Sequence, residues 1–321
     1  MDSKTKKGLF FGTIGVIFAG LQPIVAKSRS SGLDAYLSAA MTCLVEVLIF
    51  FPLVIIEYQN IRKNGKENNS KSHVLTNWKK NSWLLIFIGL IFGVNQIFYF
   101  VGYDMAGAIN GAITQKTTVF FAMFLGYILL KEKITRLQII FSIVLFLGLT
   151  IAITQFFSLV DFNINILIGV GVLLGISFLW MVGHTMTKPI FNREEATPIQ
   201  MVFLRNFISG LFLIVTYFIF FPLDFSIWLD IDNLIFFAIM GAVYGFGLVC
   251  WYKTLSYLDV SKASTIFAPT PITAAIFATI FLGDRFTIFH LIGVILVIIS
   301  IIVIVNQKKG QVSIEPEELS F

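Results

Sequence analysis

Ten apolar runs of about 20 residues, separated by short polar breaks, dominate this chain. A helix rises ~1.5 Å per residue, so each run is long enough to cross the ~30 Å hydrocarbon layer of a bilayer. Only 13% of the 321 residues are charged and 57% are hydrophobic, whereas a soluble domain carries roughly 25% charged residues. That leaves too little polar surface to coat a globule in water. In lipid every backbone N–H and C=O must be satisfied internally, which leaves helices or a closed barrel. A barrel would show ~10-residue alternating strands, and continuous runs such as Ile139–Ile153 and Leu291–Val305 exclude it.

The expected spans are 8–26, 35–56, 83–103, 109–130, 134–154, 164–187, 199–221, 233–252, 262–281 and 286–306. Most connections are short. The exception is 57–82, rich in Lys, Asn, Ser and Glu, which reads as a solvated loop, and the tail after Asn306 reads as disordered. Lys4, Lys6 and Lys7 ahead of an apolar run resemble the start of a signal peptide. The run from Gly8 to Ala26 is long enough to span, however, and no A-x-A cleavage site follows, so it reads as an uncleaved first helix.

The bases set the orientation. With the N-terminus inside, 18 Lys and Arg fall on inside segments and three, Lys27, Arg29 and Arg285, fall outside. The positive-inside rule then puts both termini in the cytoplasm of a multi-pass protein of the plasma membrane. The net charge of +5 is therefore a topology signal, with no basic stripe for nucleic acid. Cys43 and Cys250 lie within apolar runs as small hydrophobes. No cysteine–histidine cluster and no H-E-x-x-H motif offers a metal site, and no cofactor is expected.

A repeat organises the chain. At an offset of 152, Gly89 and Gly93 fall on Gly241 and Gly245, Tyr99 falls on Trp251, and Lys131–Thr135 falls on Gly283–Thr287. Each half then holds five helices, and an odd number inverts the second copy relative to the first. The expected fold is an all-α integral membrane protein with ten transmembrane helices in two inverted five-helix repeats. The first repeat is 1–156, the second 157–306, and a cytoplasmic tail follows at 307–321.

Two stretches carry a family resemblance. One runs from Gly107-Ala108-Ile109-Asn110-Gly111-Ala112 through Leu130-Lys131-Glu132-Lys133 to Gly148. The other runs from Ser261-Lys262-Ala263-Ser264 through Pro269-x-Pro271 and Leu282-Gly283-Asp284-Arg285 to Gly293. Both resemble the EamA-like domain of the drug/metabolite transporter superfamily. The resemblance implies a ten-helix carrier with a central cavity lined mainly by helices 1, 3, 4, 6, 8 and 9. The fourth helix departs from the pattern, because Thr117 stands where the ninth has Pro269, with Lys116 beside it.

A charge within a span costs at least ~2.5–3.5 kcal/mol on insertion scales, so each one needs a reason. Lys116, on a helix that the resemblance places at the cavity, reads as an anchor for an anionic group such as a carboxylate. A snorkelling or structurally paired lysine is the alternative. Glu46, deep in the second helix, reads as a proton or cation coupling site or an anchor for an amine, or as the ion-pair partner of Lys116. Arg205 sits near the inner end of its helix and reads as a structural residue that snorkels to the interface. Asn95, Gln96, Tyr99 and Tyr103 on the third helix, Trp180 and His184 on the sixth, and Tyr244 on the eighth suit a pocket for an organic solute. Trp251 and Tyr252 on the eighth suit such a pocket and equally an interfacial belt. Pro23, Pro269 and Pro271 would kink their helices and free carbonyls, and glycine pairs at 89/93, 107/111, 171/175 and 241/245 would admit close helix contact.

The functional expectation is a transporter of a small organic metabolite, an amino acid or related carboxylate, working by alternating access in efflux or exchange. Its partners would be the solute, the lipid and protons, and it would act as a monomer or homodimer. Two rival classes remain. A non-transporting membrane scaffold would share the hydropathy. An intramembrane protease would need Gly-x-Gly-Asp, whereas Phe281 precedes Leu282-Gly283-Asp284 here.

Overall fold

The apolar runs fold as helices, as their length and the lack of water in lipid require. The computed structural model describes residues 3–30, 32–68, 81–131, 133–154, 164–222, 224–283, 288–306 and 313–314. Glu132, Asp284 and Arg285 of the charged turns, residues 69–80 of the long loop, and Lys308, Lys309, Glu315, Glu317 and Glu318 of the tail lie outside the described residues.

The first half contains α1 (Ser3–Lys27), α2 (Ala35–Asn68), α3 (Ser82–Ala106), α4 (Ala108–Thr114), a 3-10 turn (Gln115–Thr117), α5 (Thr118–Leu130) and α6 (Arg136–Thr154). The second contains α7 (Ile164–Asn192), α8 (Pro198–Phe220), a short α9 (Phe225–Leu229), α10 (Ile231–Tyr257), α11 (Val260–Ile266), α12 (Thr270–Leu282) and α13 (Ile288–Asn306). Among the described residues, seven helical stretches are long and apolar enough to cross a membrane, and Gln115–Leu130, Arg136–Gly148 and Leu291–Ile304 are shorter apolar helices. Large apolar side chains such as Leu48, Trp83, Phe124 and Phe220 point outward on helix after helix. That surface is suited to lipid and not to water.

Two expectations fail locally. Residues 57–68 continue α2 as helix instead of opening a loop. No proline follows Pro52 in that stretch, so nothing stops the helix where the sequence turns polar. Within the tail, Ser313–Ile314 pairs antiparallel with Ile134–Thr135.

The repeat is visible in the element bounds. The pairs α4 and α11, α5 and α12, and α6 and α13 differ by 152 residues at both ends. The packing is exchange-related as well. Helix α1 packs on α10 as α7 packs on α3, α3 on α8 as α10 on α2, and α1 on α12 as α7 on α5, while α2 meets α8 and α6 meets α13.

The glycine pairs show why these contacts are close. A Cβ on Gly89 would lie 2.5 Å from Ile208 of α8, and one on Gly241 would lie 2.5 Å from Val45 of α2. Gly93 and Gly245 continue the same two seams against Ser209 and Phe50. The pair at 171/175 does not fit this reading, since a Cβ at either site would meet nothing within 4 Å. Gly107 also makes no close contact; its φ of +81° serves the turn between α3 and α4.

Polar contacts tie the helix ends in the same paired fashion. Asn81 at the start of α3 donates to Glu195 (2.7 Å), and Asn233, 152 residues later at the start of α10, accepts from Ser30 (2.8 Å). Lys188 at the end of α7 donates to the carbonyls of Leu255 and Leu258, and Arg29 after α1 pairs with Asp104 near the end of α3.

Candidate functional site

Both halves break a helix at the same register. Between α4 and α5 the chain passes through the 3-10 turn Gln115–Thr117; between α11 and α12 it passes through residues 267–269. Each break frees carbonyls that an unbroken helix would have bonded. Thr117 Oγ1 donates to Thr114 O at 2.7 Å in the first. In the second, Phe267 O accepts from Thr270 Oγ1 at 2.6 Å and from Lys116 Nζ at 3.0 Å. Lys116 thus ties one broken helix to the other. Glycines of α1 bring that helix against the second break: a Cβ on Gly15 would lie 2.2 Å from the Phe267 ring, and one on Gly12 2.4 Å from Ile266.

A cavity of about 110 Å³ opens beside the two breaks. Its walls come from α1 (Ala19, Gln22), α3 (Phe92), the first break (Gln115, Lys116, Thr118), α7 (Trp180, Met181, His184), α8 (Arg205), α10 (Tyr244, Gly247, Leu248, Trp251) and the second break (Ser264, Phe267, Thr270). Lys116 and Arg205 bring two basic groups, and no Asp or Glu is among these lining residues. Aromatic rings form the floor: His184 lies 4.9 Å from both Phe92 and Trp251, and Trp251 lies 5.1 Å from Phe267. Several polar atoms here are buried without a hydrogen-bond partner, among them Trp180 Nε1, Trp251 Nε1, His184 Nδ1 and Gln115 Nε2. Leaving such groups unpaired is costly, and a polar solute in the cavity would satisfy them.

Residues 6–154 and residues 167–306 each match the EamA-like transporter family. The protein belongs to that family. The chain is also 24% identical, over 78% of its length and 78% of the relative's, to the uncharacterized transporter YyaM of Bacillus subtilis (strain 168). It is 21% identical, over 95% of its length and 94% of the relative's, to an uncharacterized transporter of Clostridium kluyveri. A solved crystal structure superposes with a TM-score of 0.71 at 11% identity, covering 93% of this chain and 96% of that one, which shows a shared fold. The chain is thus an EamA-like, multi-pass membrane transporter.

Of the residues read from the sequence of this EamA-like transporter, Lys116, Trp180 and Tyr244 line the cavity. Tyr99 is fully buried behind them, 5.9 Å from Trp180 and 5.8 Å from Tyr244, and Asn95 and Gln96 are likewise buried outside the lining. Pro23 is buried within α1, Pro269 stands at the N-cap of α12, and Pro271 lies in its first turn. Proline does not explain the break, because the first half breaks at Gln115–Thr117 with none there.

One reading needs correction, that of Arg205, and two open alternatives are narrowed. Glu46 does not pair with Lys116: Glu46 Oε2 accepts from Asn206 Nδ2 at 2.5 Å, while the ammonium goes to Phe267 O. Arg205 does not snorkel to the interface. It is 3% exposed and lines the cavity, its guanidinium 4.0 Å from the Phe92 ring centre and 6.0 Å from that of Tyr244. Such stacking suits a weakly hydrated cation drawn away from water. Of the two settings that suit Trp251, pocket and interfacial belt, it takes the cavity wall. Gln22, Ser264 and Thr270 are lining residues that sequence reasoning missed. Their one available signal was a polar side chain within an apolar run.

Proposed function

We propose that the protein moves a small organic anion, a carboxylate such as an amino or organic acid, through this cavity by alternating access, in efflux or exchange. The observation that carries the reading is the charge of the wall: Lys116 and Arg205 line it and, among the described residues, no acidic one does. A carboxylate accepts charge-assisted hydrogen bonds from both cations, and the aromatic floor takes the apolar remainder of the solute. Lys116 and Arg205 are the anion-recognising groups, Trp180, Tyr244 and Trp251 shape the pocket, and Tyr99, Asn95 and Gln96 support it from behind.

The shorter apolar helices α6 and α13, together with the broken segments α4–α5 and α11–α12, bring the number of crossings to ten, arranged as two inverted sets of five. The 152-residue offset shared by three element pairs and the exchange-related packing support that arrangement. Both termini face the cytoplasm, a placement supported by the 18-to-3 distribution of loop bases. Related halves of opposite orientation can rock about a site near the midplane, with the paired end contacts at Arg29–Asp104 and Lys188–Leu258 parting in turn.

Uptake into proteoliposomes tests the reading, with succinate, L-glutamate and benzoate against choline and glucose. Saturable flux of a carboxylate, accelerated when the same solute is loaded inside, is the expected result. Flux of choline or glucose without flux of any carboxylate would overturn it. A folded protein that moves none of the five would favour the scaffold.

A further inference from the structure

Arg205 is a buried guanidinium that cannot shed its proton, and a buried charge needs a countercharge and hydrogen-bond partners. Its Nε donates to Asn206 Oδ1 at 3.4 Å, and the same amide's Nδ2 donates to Glu46 Oε2 at 2.5 Å. The amide therefore has one orientation, acceptor toward the cation and donor toward the carboxylate. Glu46 and Asn206 have no exposed surface, and neither lines the cavity. Glu46 Oε1 has no hydrogen-bond partner. The other buried carboxylate among the described residues, Glu195, is bonded to Arg193 and Asn81 at the end of α7. Besides Arg205, the groups in electrostatic reach of Glu46 are Cys43 on its own helix and Tyr244 and Tyr252 of α10; His184 of α7 faces Arg205.

We infer that Glu46, acting through Asn206, positions Arg205 as an anion-recognising residue of the cavity, and that the arriving anion replaces Glu46 as the guanidinium's countercharge. The inference rests on the anion-transporter reading above. It gives Glu46 a defined place: a positioning residue one layer behind the wall whose negative charge competes with the solute for Arg205. Removing the charge while keeping the shape should strengthen anion binding. Removing the amide should weaken it, because the guanidinium then loses its fixed direction.

Isothermal titration of the full-length protein in detergent with succinate, L-glutamate and benzoate separates the possibilities, with thermal unfolding recorded for each variant. For a carboxylate that wild type binds, Glu46→Gln should bind it about tenfold more tightly and Asn206→Ala about tenfold more weakly, shifts within reach of one gained or lost charge-assisted contact. A merely structural Glu46 would never tighten binding on substitution. A folded Glu46→Gln protein with unchanged or weaker binding overturns the inference and leaves the anion cavity standing. If Glu46→Gln fails to fold, Asn206→Ala decides, and unchanged affinity there overturns it. Wild type that binds none of the three acids defeats the anion-transporter reading, and this inference with it.

Discussion

The two broken helices have the same register and different chemistry. The first break carries Gln115-Lys116-Thr117; the second carries Phe267-Ala268-Pro269 at the matching positions. Each is followed by a 13-residue helix that ends on a left-handed residue, Lys131 at φ 51° and Gly283 at φ 78°. The backbone plan therefore belongs to both halves, and neither the proline nor the C-cap glycine creates it. What the first half adds is a cation. With no counterpart in the second half, Lys116 makes a duplicated scaffold chemically one-sided, and its ammonium rests on the carbonyl of the other break.

Lys116→Leu should break this asymmetry with the largest effect. A hydrogen bond to a charged group contributes about 1.5–3 kcal/mol, so carboxylate uptake into proteoliposomes should fall by roughly ten- to a hundredfold. The protein should still unfold near the wild-type temperature, because Thr270 also bonds the Phe267 carbonyl.

The helices facing the two breaks offer the next contrast. In α1, Gly15→Ala should cost about 1–3 kcal/mol, the usual result of overpacking, since its Cβ would strike the Phe267 ring. In α7, Gly175→Ala should not destabilise at all, because nothing lies within 4 Å of that site. Thermal unfolding of the two variants reads both.

The C-caps sharpen the comparison at smaller scale. Gly283→Ala should lower stability by about 1 kcal/mol, and Lys131→Gly should raise it by about 0.4–1 kcal/mol, because glycine adopts positive φ without a Cβ clash. Pro269→Ala should have the smallest effect, a loss of about 0.4–1 kcal/mol through the freer unfolded chain, with the break retained as it is at Thr117.

Most of the fold was legible because lipid removes alternatives. Run length specifies helix, and the offset of 152 read from Gly89/Gly241 and the charged turns recurs in the bounds of three element pairs. The breaks were only half legible. Pro269 and Pro271 marked the second, but Thr117 gave no local sign of the first, which packs against α7. Lys116 stood out as a charge in an apolar run, and it lies among the residues that line the cavity. Arg205 stood out equally, but counting residues from the helix end suggested an interface, because depth along a helix does not reveal which face a side chain takes. Its stacking on Phe92 is a tertiary fact. The partner of Glu46 was open in the sequence for the same reason: Asn206 is 160 residues away. The pair at 171/175 shows the converse error, a spacing that fits close packing on a face with no neighbour.

The central claim is that Lys116 makes this cavity prefer an anion. L-glutamate and L-glutamine differ by one side-chain carboxylate, so their relative uptake into proteoliposomes tests it directly. Wild type should prefer L-glutamate, and Lys116→Gln should reduce that preference by about tenfold, the loss of one charge-assisted contact. A folded Lys116→Gln protein that keeps the wild-type ratio would contradict the account.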